Sequence, residues 1–175
     1  MNSKVARIII VFLLAFLTGV NFVVFPALGT AFTDSSLFGL SSSQFGNLFI
    51  PQVICIIVSC LGAPFLVNKW GPKIVLIIGL LLMITSTGVL WMLQFLMNDT
   101  SVLFPGLMIL VALMGSGFGL CITTLNPLAA SLFENNKSSA ILILQFLVGL
   151  GTSTAPLMMN LIGNIKNWMY VPGCI

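Results

Sequence analysis

Long apolar runs separated by short polar punctuation divide this chain, and the runs are about as long as a membrane span. A helix needs roughly 20 mostly apolar residues to cross the hydrocarbon core. The first run extends from about Val5 to Leu28, with Lys4 and Arg7 at its head. Apolar character continues past Asn21 and Phe25, beyond the roughly 7 to 15 residues of a secretory signal core, so the pattern predicts a retained helix. Gly29 to Ser43, carrying Asp34 and several serines, reads as an external loop. A second span is predicted over about Gln44 to Val67, and a third from about Pro72 to Met97, stopping at Asn98 and Asp99. The fourth covers about Leu103 to Phe133 and contains Asn126-Pro127, where a proline without an N–H predicts a kink. After the polar turn from Glu134 to Ser139, a fifth span covers about Ala140 to Gly163. Asn167 to Ile175 then reads as the first turns of a sixth that does not finish.

Composition supports the same class. Hydrophobic residues make up 59% of the 175 residues and charged residues 5%, with a mean hydropathy of +1.20. A soluble domain devotes about a quarter of its residues to charge. The expected fold class is therefore all-α integral membrane, with five complete transmembrane helices, the start of a sixth, and no soluble domain of useful size. Six basic residues give a formal net charge of +3 but are spread thinly, without the basic and aromatic clustering that binds nucleic acid. The lipid bilayer is the expected surrounding, and no nucleic-acid partner is expected.

Orientation follows from those few charges. With the N-terminus cytoplasmic, Lys4, Arg7, Lys69, Lys73 and Lys137 lie inside, while Lys166 lies outside with Asp34 and Asp99. That arrangement obeys the positive-inside rule. Lys69 and Lys73 then hold the turn between spans two and three on the cytoplasmic side. Gly71 can supply its bend, and Pro72 suits the first position of the following helix.

In a bilayer, a polar side chain away from the interface either lines a wet path or bonds to another helix. Asn21, Gln52, Asn126 and Gln145 are accordingly the candidate solute-binding residues. The plainer alternative is that each amide joins two helices, at about 1 kcal/mol per bond. Gly115 with Gly119, and Gly151 with Ala155, form small-xxx-small pairs and read as close helix packing. Cys55, Cys60, Cys121 and Cys174 fall in apolar runs at spacings that suggest neither a disulfide framework nor a metal site, and read as free buried thiols. There is no histidine, and Asp34, Asp99 and Glu134 are expected at helix ends or loops. No nucleophile paired with a base, no carboxylate pair and no phosphate loop is present, so neither enzyme chemistry nor a cofactor is expected.

The segment Pro64-Phe65-Leu66-Val67-Asn68-Lys69-Trp70-Gly71-Pro72-Lys73 resembles the loop signature G-x-L-a-D-R-x-G-R-K of the major facilitator superfamily, in the place that family has it. Leu66, Lys69, Gly71 and Lys73 match, while Pro64, Asn68 and Pro72 replace a glycine, an aspartate and a basic residue. The resemblance implies that Asn68, Lys69, Gly71 and Lys73 form a gating loop, with Asn68 keeping a hydrogen bond but not the charge of the family's aspartate. Leu40 to Gln52 is similar to the family's serine-capped start of span two, and Asn167-Trp168-Met169-Tyr170 to the aromatic start of its sixth. Thr123 to Phe133 and Gln145 to Leu157 resemble spans four and five of the branch that includes the fucose/proton symporters.

Taken over the whole chain, this resemblance implies the N-terminal half of a twelve-helix permease, cut within its sixth span, in a bacterial inner membrane. It implies alternating-access transport of a small polar solute, a sugar among the candidates, together with a missing C-terminal half or a partner subunit. Spans one and four would line the central cavity, which favours Asn21 and Asn126, with Gln145 facing it from span five. Ile122 stands where that branch often has an acid, so the familiar proton coupling does not follow. The alternative is a non-transporting helical membrane protein that packs against a partner through its glycine faces.

Overall fold

The structure, a computed structural model, describes residues 3–35, 37–93, 100–133 and 136–162. Every regular element among them is a helix: α1 (Ser3–Phe22), α2 (Val24–Ala27), α3 (Gly29–Thr33), α4 (Ser42–Asn47), α5 (Phe49–Trp70), α6 (Pro72–Leu93), α7 (Thr100–Leu132) and α8 (Lys137–Ile162). Among the described residues, four stretches are long and apolar enough to cross a membrane, namely Val5–Phe22, Ser42–Trp70, Pro72–Met92 and Leu103–Leu132, and the expected fifth span from about Ala140, which falls in α8, is not one of them. The expected sixth span from Asn167, and Asn98, Asp99, Glu134, Lys166 and Cys174, lie outside the described residues.

Segment 29–43 differs from the expected polar loop. Gly29–Thr33 is helical, and Phe32, Phe38 and Leu40 turn inward and are buried. Phe32 meets Phe38 edge-on with ring centroids 4.9 Å apart, and Phe45 meets Phe49 at 5.1 Å. Edge-to-face pairs favour the aromatic quadrupoles beyond simple burial. The serines and Asp34 gave this stretch its loop character, but the interleaved phenylalanines decide which way it faces. Gly39, at φ +62°, lets the chain turn back so that its N–H reaches the Asp34 carbonyl at 2.8 Å. The next helix is capped as the sequence suggests: Ser41 Oγ accepts from the Gln44 N–H, and Gln44 Oε1 accepts from the Ser41 N–H at 2.9 Å.

The turn between α5 and α6 is a single residue. Gly71 adopts φ +82° and ψ 158°, a region nearly closed to residues with a Cβ, and its N–H closes α5 by donating to the Val67 carbonyl at 2.8 Å. Pro72 opens α6, where its missing N–H costs nothing. α7 continues as one helix through both Pro105 and Pro127.

Glycines set how closely the helices approach. A Cβ at Gly115 would strike the Gln52 carbonyl and one at Gly119 would lie 2.9 Å from the Ile56 carbonyl, so both face α5 as the small-residue spacing predicts. Because 115 meets 52 and 119 meets 56, α5 and α7 run in the same direction. A Cβ at Gly117 would point elsewhere, 2.6 Å from the Gly79 carbonyl of α6. Ser86 Oγ donates to the Leu110 carbonyl at 2.7 Å higher on the same seam, so α6 runs against α7. Gly151 packs against the Phe16 carbonyl of α1, and Gly19 of α1 against the Val148 carbonyl of α8. The side chain of Ala155, its expected companion, is outside the described set. α7 thus sits at the centre, touching α5, α6, α1 and α8.

Candidate functional site

The helix directions bring the end of α5, the start of α6, the end of α7 and the start of α8 to one end of the bundle. Phe12 of α1 lies 6.0 Å from Phe133, ring to ring, so the beginning of α1 is there too. Arg7, Lys69, Lys73 and Lys137 are therefore gathered at that end, and all four side chains are exposed. Asp34 belongs to the opposite end, beyond α3. In the proposed gating loop, Asn68, Lys69 and Lys73 are exposed, and Lys69 Nζ stands 5.7 Å from the centre of the Trp70 ring. An ammonium over an indole face is held by the ring quadrupole, by about 0.5 to 1 kcal/mol when exposed. Lys69 therefore has a partner within its own turn.

The four amides do not share one site. Asn126 and Gln145 come together: Gln145 Nε2 donates to Asn126 Oδ1 at 3.1 Å, joining α7 to α8. Gln145 is exposed and Asn126 half-buried, with Pro127 exposed beside it. Both amides lie about two helical turns from the connection between α7 and α8, at the end of the bundle that carries the lysines. The bond uses one acceptor and one donor, leaving the Asn126 Nδ2 and Gln145 Oε1 ends of the amides outside it. Pro127 cannot donate to the carbonyl of Thr123, four residues before it, so a backbone acceptor is freed nearby.

Gln52 is elsewhere. It is 3% exposed in the seam between α5 and α7, where its backbone meets Gly115, and its Nε2 has no partner. Asn21 is elsewhere again. Together with Leu14, Leu17 and Thr18 of α1 and Leu80, Met83 and Ile84 of α6, it lines a cavity of about 170 Å³ between the two helices. Its Oδ1 is buried without a partner, whereas the neighbouring Thr18 Oγ1 is satisfied by donating to the Leu14 carbonyl at 2.7 Å. Cys121 is buried, while Cys55 and Cys60 are only half-buried because α5 turns most of its surface outward.

Residues that the sequence pattern left unmarked carry much of this geometry. Ser86 makes a buried interhelical bond, and Gly117 with Gly79 sets the closest approach of α6 to α7. The signal for Gly117 was present: lying two residues from Gly115, it must face a different neighbour on a helix. Ser86 had no comparable signal, since a serine in an apolar helix can equally bond to its own preceding turn.

A close-packed bundle of apolar helices, with stretches long enough to cross a membrane and basic residues at one end, defines a polytopic membrane protein. The family model of the Major Facilitator Superfamily matches residues 8–175. The chain belongs to that superfamily, a family of membrane transporters. No curated protein and no solved structure matches it.

Proposed function

We propose that the chain forms one half of a permease that moves a small, neutral, polar solute across a bacterial inner membrane by alternating access, two halves rocking about a shared site. The observation that carries this reading is the bond between Asn126 and Gln145. Two amides locked together at the bundle surface keep one donor end and one acceptor end at fixed separation. A solute hydroxyl, which both donates and accepts, suits that pair and the freed Thr123 carbonyl beside it. A sugar is one such solute.

In this reading α8 serves as a fifth span and the chain beyond it begins a sixth. The basic end of the bundle, with Arg7, Lys69, Lys73 and Lys137, is cytoplasmic. The second half meets the outward face of α5, where Ile50, Val53, Ile54, Ile57, Val58, Leu61 and Phe65 are all exposed. Gly71 and the lysines flanking it form the gating turn, and Asn68 contributes a hydrogen bond to it.

The test is solute uptake by the intact transporter carrying Asn126→Leu, Gln145→Leu or both. Uptake should be lost in each single variant with membrane insertion unchanged, and the double variant should be no worse than either single one. If uptake persists while thermal stability falls, the pair is a helix–helix contact and the solute path lies elsewhere. A reporter fused after Lys69 should be cytoplasmic, and an external result would overturn the orientation.

A further inference from the structure

Two threonines stand side by side on α7 in different surroundings. Thr124 is buried, and its hydroxyl donates to the Leu120 carbonyl at 2.7 Å. Ser116 and Ser131 of the same helix likewise donate to carbonyls of the preceding turn, which is how a helix satisfies a hydroxyl without outside help. Thr123 is half-buried, and its hydroxyl makes no hydrogen bond among the described residues. The acceptor one turn back is the Gly119 carbonyl. Its two lone pairs are engaged, one by the Thr123 N–H within the helix and one by Cys60 Sγ of α5 at 3.7 Å. Thr123 also owns the carbonyl that Pro127 leaves without its helical donor. One residue thus presents both a hydroxyl and a carbonyl with hydrogen-bonding capacity to spare.

These groups adjoin the Asn126–Gln145 pair. Thr123 and Asn126 are three residues apart on one helix, which puts their Cβ atoms about 5 to 6 Å from each other. Thr123 also lies roughly 14 Å along the axis from the end of α7 at Leu132, deeper than Asn126. The Thr123 hydroxyl and carbonyl, the Asn126 Nδ2 end and the Gln145 Oε1 end make four polar groups on adjoining turns. A lipid tail or an apolar helix laid over them would leave all four unmet, which a membrane interior penalises heavily. Water or a polar solute meets them instead. Their chemistry also has a pattern: Thr123 offers a donor with an acceptor, and the amide pair offers a donor with an acceptor. Each set suits one hydroxyl, so two neighbouring hydroxyls on one solute use all four groups.

We propose that Thr123 is a further solute-contacting residue, its hydroxyl and carbonyl binding one hydroxyl of a solute whose adjacent hydroxyl is held by Asn126 and Gln145. The inference rests on the reading of that amide pair as the solute site and narrows its solute class to sugars and polyols with adjacent hydroxyls. Thr123 is the deeper of the two contacts, so a solute entering from the end of the bundle that carries the lysines meets the amides first and Thr123 second.

The experiment uses the intact transporter in inverted and right-side-out membrane vesicles, with Thr123→Cys, Thr124→Cys or Asn126→Cys introduced one at a time. The probe is a membrane-impermeant, positively charged methanethiosulfonate, and the reading is the rate of labelling above that of the unaltered protein. Thr123→Cys breaks no internal hydrogen bond, so its membrane insertion should match that of the unaltered protein. From at least one side, Thr123→Cys should react within about tenfold of the Asn126→Cys rate, and Thr124→Cys at least a hundredfold more slowly. At least one of D-glucose, D-galactose, xylitol and sorbitol should slow labelling of Thr123→Cys threefold or more, whereas 1,5-pentanediol, whose hydroxyls are not adjacent, should not. If Asn126→Cys reacts and Thr123→Cys does not, Thr123 is covered by protein and the proposal falls while the amide pair keeps its role. If neither reacts, the reading of the amide pair falls with it. Labelling that all four polyhydroxy probes leave unchanged would overturn the match to adjacent hydroxyls.

Discussion

α6 packs against α7 on one face and looks across to α1 on another, and the two seams are built from different residues. Toward α7 it presents Gly79, whose absent side chain lets the helices close until a Cβ there would stand 2.8 Å from Cys121 Sγ and 3.0 Å from the Gly117 carbonyl. Toward α1 it presents Leu80 and Ile84, and α1 answers with Leu14 and Leu17. Large side chains on both sides hold those backbones apart, and the space between becomes the cavity. Met83 belongs to both seams, lying against Gly117 and also lining the cavity. In a bilayer, lipid tails are as apolar as leucine, so close contact depends on packing that small residues permit. Where glycines are missing, the seam stays open.

The sharpest way to break the tight seam is Gly117→Leu. Its Cβ would lie 2.6 Å from the Gly79 carbonyl, which is backbone and cannot swing aside. The loss should be about 3 kcal/mol or more in unfolding measured in detergent or bicelles. Gly88→Leu, on the same α6 but with open space at the Cβ, should change stability by less than about 0.5 kcal/mol. Equal effects would mean that the glycines do not set the seam.

Gly71→Val comes next and separates packing from conformation. There is open space around Gly71, but its φ of +82° belongs to glycine, so the cost is backbone strain of about 2 kcal/mol. Transport by the intact protein should fall much further than with Lys137→Gln, an exposed charge at the start of α8. Asn21→Leu reverses the sign. It removes a buried acceptor without a partner from the open seam, and should raise stability by about 1 kcal/mol. A small loss is expected from Ser86→Ala. Loss of the bond to the Leu110 carbonyl should lower stability by about 0.6 kcal/mol, because the separated helices find other partners within the membrane.

Some features were legible because their signals are local. Hydropathy runs marked some boundaries closely: Pro72 opens α6 as expected, and α7 ends at Leu132, one residue short of the predicted boundary, but the first span was expected to reach Leu28 whereas α1 stops at Phe22 and the short α2 follows. Gly71 was readable because only a residue without a Cβ turns a chain that sharply, and a serine cap near the start of the second span was readable as a likeness to the family's serine-rich entry. Segment 29–43 was misread because its serines and Asp34 mask phenylalanines whose burial depends on partners outside it, such as Phe25 and Phe45 against Phe32.

Composition and spacing by themselves determined that this chain is a membrane protein, roughly where its longer helices lie, that Arg7, Lys69, Lys73 and Lys137 share one side, and that four amides sit in apolar surroundings. Only the tertiary structure decided what each amide does: Asn126 binds Gln145, Gln52 is enclosed in a seam, and Asn21 faces a cavity. The physical reason is that helix formation and membrane insertion depend on properties summed over one segment, whereas the fate of a polar side chain depends on which residue of another helix stands opposite it. That choice is made by the close approach of Gly79, Gly115, Gly117, Gly119 and Gly151 to neighbouring backbones, far away in sequence.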